Sequence, residues 1–165
     1  MKSLLLIRHA KSSWDDLSIP DQERPLNERG KRDAPLMAER LLNRKVKIDA
    51  FISSPAKRAR KTAEAFAKTF GQGKKDILVK EVLYGAGEIE FEEIIASLPD
   101  DYKIVAIFSH NPGITDFANT LTSNRTDNIP TAGIFAVQAE VDHWNEFPSA
   151  KRQFWFFDYP KNAAD

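Results

Sequence analysis

The 165-residue chain contains no cysteine. This absence excludes disulfide bonds, thiolate zinc sites and a cysteine nucleophile, and it fits a reducing compartment. The chain also has no excess of either charge, because 24 Lys and Arg residues are matched by 24 Asp and Glu residues. A nucleic-acid-binding domain usually carries a basic excess, and a polybasic membrane anchor carries a basic cluster. We therefore predict neither a nucleic acid nor a membrane as partner.

Long hydrophobic runs are missing as well. Near the amino terminus only residues 4–7 form an uninterrupted apolar run, and Arg8 ends it. Such a run is too short for a signal peptide or a membrane span, so we expect a soluble protein of the cytoplasm. The length fits one domain, and we expect residues 1–165 to form it without a large cap.

Predicted strands alternate with predicted helices along the chain. The strands are expected at 4–7, 48–52, 76–79, 103–108, 133–139 and 153–159. The helices are expected at 27–43 with Asn27 as the N-cap, and from Ser54-Pro55 to Gly71 with Ser54 as the cap. Two more are expected at 91–98 and 111–121. Pro35 is expected to bend the first helix or delay its start, and residues 161–165 are expected to fray. This alternation predicts an α/β three-layer sandwich with a mostly parallel central sheet flanked by helices.

Three unusual polar features fall beyond the carboxyl ends of predicted strands. Arg8 and His9 close the first strand, Arg58 lies in the first turn of the helix after the second, and His110 follows the strand 103–108. Two of the three histidines of the chain occupy such positions, whereas His143 lies in a polar stretch and is expected at the surface. Ligands of open α/β sheets gather at this edge, so we expect the four residues to meet there.

Two histidines and two arginines together suit phosphoryl transfer through histidine. Neutral His9 can attack phosphorus and form a phosphohistidine. Arg8 and Arg58 can hold the charged phosphoryl oxygens with paired donors, and a protonated His110 could donate a further hydrogen bond. Each feature alone also has a plainer interpretation: a loop entrance, a solvated arginine or a helix cap.

Three motifs resemble those of the histidine phosphatase superfamily, also called phosphoglycerate-mutase-like. "IRHAKSSW" resembles its Arg-His signature, "SSPAKRARKT" its second arginine motif and "SHNPGI" its second histidine motif. "DQERPLNERGKRDAP" resembles the segment that follows the first motif. The resemblance is strongest to the small SixA branch, the phosphohistidine phosphatases, and it spans nearly the whole chain.

The resemblance implies a role for each matched residue. His9 is then the nucleophile, Arg8 and Arg58 bind phosphate, His110 completes the pocket, and Ser12 lies where relatives line the substrate site. Many relatives also carry a carboxylate general acid, often within a helical cap between the second and third motifs. That interval is short here, and Glu81 is the first positional candidate and Glu88 the second. A solvated glutamate is an equal alternative for both.

The short interval favours phosphohistidine on a protein as the substrate. An imidazole leaving group demands a proton donor less strongly than an alkoxide does, and an open pocket admits a bulky protein. Two alternatives stay open: a phosphomonoesterase acting on small phosphorylated metabolites at the same site, and a phosphate-binding module without catalysis.

No cofactor or metal is predicted, because "GQGKK" lacks the spacing of a phosphate-binding loop and the carboxylates of "EIEFEEII" fit a solvated helix face.

Overall fold

A computed structural model of the protein describes residues 1–162. Its strands are β1 (Lys2–Arg8), β2 (Ala50–Ser53), β3 (Ile77–Val79), β4 (Ile104–Ser109), β5 (Ile134–Ala139) and β6 (Arg152–Asp158). Its α-helices are α1 (Glu28–Asn43), α2 (Lys57–Thr69), α3 (Glu88–Ala96) and α4 (Gly113–Leu121). Short 3-10 turns lie at Asp21–Glu23, Lys74–Asp76, Glu81–Leu83 and Trp144–Ser149.

The six strands form one sheet in the order β3-β2-β4-β1-β5-β6. Strands β3, β2, β4 and β1 are parallel, β5 is antiparallel to β1, and β6 is antiparallel to β5. Only β5 therefore runs against the others. The predicted mostly parallel sheet is confirmed.

Apolar side chains cover both faces of this sheet. On one face Leu4 and Leu6 of β1 join a buried cluster with side chains of α3 and α4. On the other face Leu5 and Ile7 join a cluster with side chains of α1 and α2. Each such buried aliphatic side chain contributes about 1.5–3 kcal/mol of hydrophobic free energy. Burial on two faces explains why β1 is apolar without alternation, and it confirms the three-layer architecture.

Helix α1 begins where the sequence predicts it. The Asn27 side chain accepts a hydrogen bond at 2.8 Å from the backbone N–H of Gly30, which is the expected N-cap arrangement. The expected late start at Pro35 is wrong, because the helix continues from Glu28 to Asn43 with Pro35 inside it.

The start of α2 differs from the prediction. The helix begins at Lys57, with Ala56 as the N-cap residue and no side-chain cap. Ser54 is not the cap, because its hydroxyl bonds instead to the Ala56 N–H and to His110. The predicted end is confirmed: Gly71 has a φ of 79°, and the Gln72 N–H bonds back to the Ala67 carbonyl at 2.7 Å.

Helix α3 begins three residues earlier than predicted. The Glu90 carboxylate accepts a hydrogen bond at 2.7 Å from the Gly87 N–H and fixes the first turn. The apolar residue of this turn, Ile89, is exposed, so the spacing of core-facing apolar residues does not indicate the helix start. Between α2 and β4 the described chain contains β3, two 3-10 turns and α3, and the single-domain organisation stays a prediction.

The carboxyl-terminal segment is held as far as Asn162. Its backbone N–H bonds to the Tyr159 carbonyl, and its side chain donates to the Asp158 carboxylate. Fraying was predicted for 161–165, of which positions 163–165 lie outside the described residues.

Candidate active site

The structure brings the separate sequence motifs to one cavity of about 210 Å³ at the carboxyl edge of the sheet. The ring centroids of His9 and His110 lie 5.1 Å apart, so the two imidazoles share this cavity. Arg8, Arg58 and Ser12 also line it. The further lining residues are Lys11, Trp14, Arg24, Asn111 and Thr131.

Backbone hydrogen bonds fix the end of β1 on both sides. The Arg8 N–H donates to the Gly133 carbonyl at 3.1 Å, and the His9 N–H donates to the Ser109 carbonyl at 3.1 Å. The Ala132 N–H in turn donates to the Arg8 carbonyl at 3.0 Å. The two residues are therefore held at the edge of the sheet, where the apolar run of the sequence predicts them.

Thr62 connects the first motif to the second. Its hydroxyl accepts a hydrogen bond at 2.9 Å from the Ala10 N–H and donates one at 2.7 Å to the Arg58 carbonyl. Thr62 is fully buried, so water does not compete for these bonds. The positions of His9 and Arg58 are thereby coupled through one side chain.

The hydrogen bond of His9 assigns its tautomer. Nδ1 lies 2.8 Å from the Ala10 carbonyl oxygen, which can only accept, so Nδ1 carries the proton and Nε2 keeps its lone pair. Burial lowers the pKa of His9 to about 3, with the positive charges nearby acting in the same direction. The ring is therefore neutral at pH 7, as a nucleophile must be.

His110 is also neutral near pH 7. Burial, followed by the charge of Arg58, lowers its pKa to about 4. Ser54 fixes the ring through a 2.7 Å contact between Oγ and Nε2, while Nδ1 is buried without a partner in the chain described. A phosphoryl dianion beside the ring would raise this pKa and favour the protonated donor that the sequence argument invokes.

The two arginines are each held by one edge of the guanidinium group. Arg8 donates through Nη1 to the Ile129 carbonyl at 3.0 Å. Arg58 donates through Nη1 and Nη2 to the backbone and side-chain oxygens of Asp21, at 2.8 and 3.0 Å. The Nε atoms of both arginines are buried and lack a partner among the described residues. Unpaired buried donors of this kind are costly, and phosphate oxygens would satisfy them.

Sequence reasoning missed Asp21, although it lies in the quoted segment "DQERPLNERGKRDAP". Its carboxylate accepts from Arg58, from Arg24 at 3.1 Å and from the Tyr84 hydroxyl. The Tyr84 bond, and then Arg58, lower the pKa of Asp21 to about 2. Asp21 lies in a polar, proline-containing loop, where no helical or strand periodicity distinguishes one residue from another. Only Arg24, three residues later, indicates that Asp21 could form an ion pair.

Ser12 is buried and accepts a 2.6 Å hydrogen bond from Arg24. Glu81 begins an exposed 3-10 turn and Glu88 begins α3, and neither lines the cavity. The roles assigned to all these residues stay predictions.

A second cavity, of about 360 Å³, lies between α1 and α2. Its walls combine apolar side chains with Lys31, Lys57 and Lys61, and none of the predicted site residues reaches it. No histidine, hydroxyl or carboxylate side chain lines it, so it lacks the groups that the smaller cavity combines.

Among residues 1–162, no group of three or more His, Asp or Glu side chains gathers in a way that could hold a metal ion. Within the same residues, no helix combines the length and the hydropathy needed to cross a membrane.

Comparisons with known proteins give a family match and related sequences. A family model described as histidine phosphatase superfamily (branch 1) matches residues 4–119. An uncharacterized chloroplastic protein of Arabidopsis thaliana is 30% identical over 154 residues, covering 88% of this chain and 70% of the relative. Phosphoserine phosphatase 1 of Hydrogenobacter thermophilus is 35% identical over 112 residues, covering 62% of this chain and 50% of the relative.

Solved structures share the fold. The protein histidine phosphatase SixA in complex with tungstate superposes with a TM-score of 0.80 at 23% identity, covering 97% of this chain and 98% of that one. A SixA-type structure from Agrobacterium tumefaciens gives a TM-score of 0.81 at 24% identity, covering 96% and 98%. At these identities the likeness establishes the phosphoglycerate-mutase-like architecture.

Proposed function

Because the chain belongs to the histidine phosphatase superfamily, we propose that it hydrolyses phosphohistidine on proteins through a covalent intermediate on His9. The observation that carries the proposal is the neutral His9, whose Nε2 lone pair shares one cavity with two arginines that hold unpaired buried Nε donors. No metal is required in this scheme, since the arginines supply the positive charge. The cysteine-free composition supports a reducing compartment such as the cytoplasm.

The proposed reaction has two displacements at phosphorus. In the first, His9 Nε2 attacks phosphorus, and the bond between phosphorus and the substrate imidazole breaks. The substrate ring is protonated on its other nitrogen, so it leaves as neutral imidazole. In the second, water attacks phosphorus, the bond to His9 breaks and leaves His9 neutral, and dihydrogen phosphate departs with both protons of the water. Arg8 and Arg58 stabilise the charge on the equatorial oxygens at both steps, each donor contributing about 3 kcal/mol to the barrier.

The acid–base character of the cavity supports phosphohistidine over a phosphate ester. Among the residues that line it there is no Asp or Glu. Asp21, which contacts Arg58, stays ionised down to about pH 2 and cannot serve as a proton donor near neutrality. An alkoxide leaving group needs such a donor, whereas imidazole, with an ordinary pKa of about 6.5, needs it less. Glu81 or Glu88 as general acid stays a prediction.

A phosphomonoesterase acting on small molecules is the second candidate. Its support is the similarity to a relative named phosphoserine phosphatase 1. The third alternative is a module that binds phosphate without attacking it.

One substrate panel separates the three. The wild type, His9→Ala and Glu81→Gln are assayed on a histidine-phosphorylated protein, on phosphoserine and sugar phosphates, and on an aryl phosphate. We expect the wild type to prefer the phosphohistidine protein and His9→Ala to lose at least about 10³-fold in kcat, because the nucleophile is gone. Glu81→Gln should slow ester hydrolysis more than phosphohistidine hydrolysis if Glu81 is the acid.

Trapping the intermediate provides the direct measurement. Rapid acid-free quenching with radiolabelled substrate should give an acid-labile label on the wild type and none on His9→Ala. Equal, slow hydrolysis of the aryl phosphate by both proteins would exclude catalysis by His9. A preference for phosphoserine would instead select the second candidate.

A further inference from the structure

Exposed apolar side chains concentrate in two short segments, each of which reaches the active-site cavity through one aromatic residue. Among residues 1–162, five of the ten exposed large apolar side chains come from two short segments. We call these five the apolar collar: Trp14, Leu17, Val82, Tyr84 and Ile89. Leu17 is 83% exposed, Ile89 66% and Trp14 60%. Exposed apolar side chains that group together often mark an interaction surface.

The two segments of the collar meet at the cavity. Trp14 lines the cavity, and the Arg24 guanidinium lies 3.6 Å from the centre of its ring. Tyr84 packs edge-on against His110, with ring centroids 5.7 Å apart, and its hydroxyl donates to Asp21. The hydrogen bond between Tyr84 and Asp21 therefore joins the loop after β1 to the turn before α3.

The remaining three members follow closely in sequence. Leu17 lies three residues after Trp14, and Val82 and Ile89 lie two residues before and five after Tyr84. Trp14 therefore connects the first segment of the collar to the cavity, and Tyr84 connects the second.

The cavity is too small to contain most of a substrate. Its volume of about 210 Å³ lies below the roughly 300–1,000 Å³ of pockets that enclose a drug-sized ligand. The cavity has room for a phosphoryl group and a small ring. The rest of the substrate must stay outside the cavity, against the collar.

We propose that the apolar collar docks a folded histidine-phosphorylated protein whose own apolar surface surrounds its phosphohistidine. Charge complementarity orients the partner on the collar, because the partner carries a phosphoryl dianion and the cavity is basic. The basic residues that line the cavity are Arg8, Arg58, Arg24 and Lys11. Apolar area around the charged contact then supplies affinity that a small phosphorylated molecule cannot use. This inference rests on the proposed function and extends it to the recognition of the protein substrate.

The test compares two substrates that share a leaving group but differ in size. Leu17→Ser and Ile89→Ser, singly and together, are assayed on a histidine-phosphorylated protein and on free phosphohistidine. We expect kcat/KM toward the protein to fall at least about tenfold in the double variant. Toward free phosphohistidine it should stay within about twofold. Neither residue touches the reacting atoms, so a purely catalytic defect is not expected.

Leu42→Ser is the matched control. Leu42 is 40% exposed near the carboxyl end of α1 and belongs to no part of the collar. It should leave both substrates unchanged. Thermal unfolding of every variant reports whether a loss of activity reflects a loss of folded protein.

Three results would overturn the collar. Equal losses on both substrates would mean that the substitutions damage the site itself, and unchanged activity on the protein would mean that nothing docks there. A change from dimer to monomer in sedimentation equilibrium would identify the collar as a contact between copies of this chain. If the wild type hydrolyses esters but neither phosphohistidine substrate, the proposed function is wrong. If the wild type hydrolyses both phosphohistidine substrates and only the collar variants differ from expectation, the proposed function stands and the collar proposal alone is wrong.

Discussion

At the scale of single residues, Asp21 determines how Arg58 faces the cavity. The backbone and carboxylate oxygens of Asp21 take the Nη1 and Nη2 donors, and the Nε donor is left over. A guanidinium held through two of its nitrogens beside the cavity has little freedom to rotate. Asp21 is therefore a positioning residue in this structure and need not touch the substrate.

Removing the Asp21 carboxylate should slow the reaction. We expect Asp21→Ala to lower kcat about tenfold because Arg58 is no longer held, with Asp21→Asn retaining more activity since its amide oxygen still accepts. Steady-state kinetics and inhibition by tungstate provide the measurement. Asp16→Ala is the control, since Asp16 is an exposed carboxylate of the same loop that bonds only to Ser18.

The opposite outcome has a clear meaning. If Asp21→Ala binds tungstate more tightly and turns over faster, the carboxylate competes with phosphate for Arg58 and does not position it.

The sequence predicts the placement of a cavity residue where unusual chemistry and a strand end coincide. Arg8, His9 and His110 are unusual groups at strand ends, so strand prediction places them together. Asp21, Ser54 and Thr62 act only through contacts across the fold, and no local pattern distinguishes them from solvated loop and helix residues.

At the scale of elements, close backbone approaches position the loop after β1. A Cβ atom at Gly30 in α1 would lie 2.1 Å from the Lys11 carbonyl oxygen. No side chain relieves this overlap, so the first turn of α1 and the loop bearing Lys11 and Ser12 can pack only with glycine at this position.

Gly30→Ala should therefore destabilise the protein even though alanine favours helices. We expect overpacking to lower the free energy of unfolding by about 1–3 kcal/mol. This net value already includes the gain of about 1 kcal/mol that alanine brings through its helix propensity. Urea unfolding measures the change. Gly73→Ala is the control, because its nearest contact would be a side-chain oxygen at 3.8 Å. An increase in stability for Gly30→Ala would show that the loop moves freely away from the helix.

Element boundaries show where sequence reasoning stops. The strands and the ends marked by Asn27 and Gly71 follow from local signals, namely an apolar run, a side-chain cap and a left-handed glycine. The starts of α2 and α3 do not, because Ser54 is diverted to His110 and the first turn of α3 depends on the contact between Gly87 and Glu90.

At the scale of the whole molecule, two buried histidines of the cavity make the free energy of unfolding depend on pH. His9 and His110 are buried and neutral, with pKa values lowered to about 3 and about 4. In the unfolded chain each takes up a proton below about pH 6.5. The unfolded state therefore binds more protons than the native state between about pH 6.5 and these lowered values, and stability falls as the pH falls through that window.

Each of the two histidines should steepen the acid loss of stability by about 1.4 kcal/mol per pH unit within its window. We expect His9→Gln and His110→Gln each to flatten the dependence of the free energy of unfolding on pH between 6 and 4. His143→Gln should not flatten it, because a hydrogen bond to Asp100 raises the pKa of that exposed histidine. Denaturant unfolding at several pH values provides the measurement, and equal slopes in wild type and His9→Gln would contradict the buried neutral state.

The alternation of elements was sufficient to predict the layered fold, because a parallel sheet covered on both faces demands long apolar strands joined by helices. The antiparallel insertion of β5 between β1 and β6 could not be predicted in this way, since pairing partners far apart in sequence leave no periodic mark.

The buried hydroxyl of Thr62 has a dynamic consequence. It accepts a hydrogen bond from the backbone after His9 and donates one to the Arg58 carbonyl within α2. Separating the loop from the helix breaks the bond between Ala10 and Thr62 in a region closed to solvent, so it leaves a buried donor unpaired. This cost restrains the distance between His9 and the helix turn that carries Arg58.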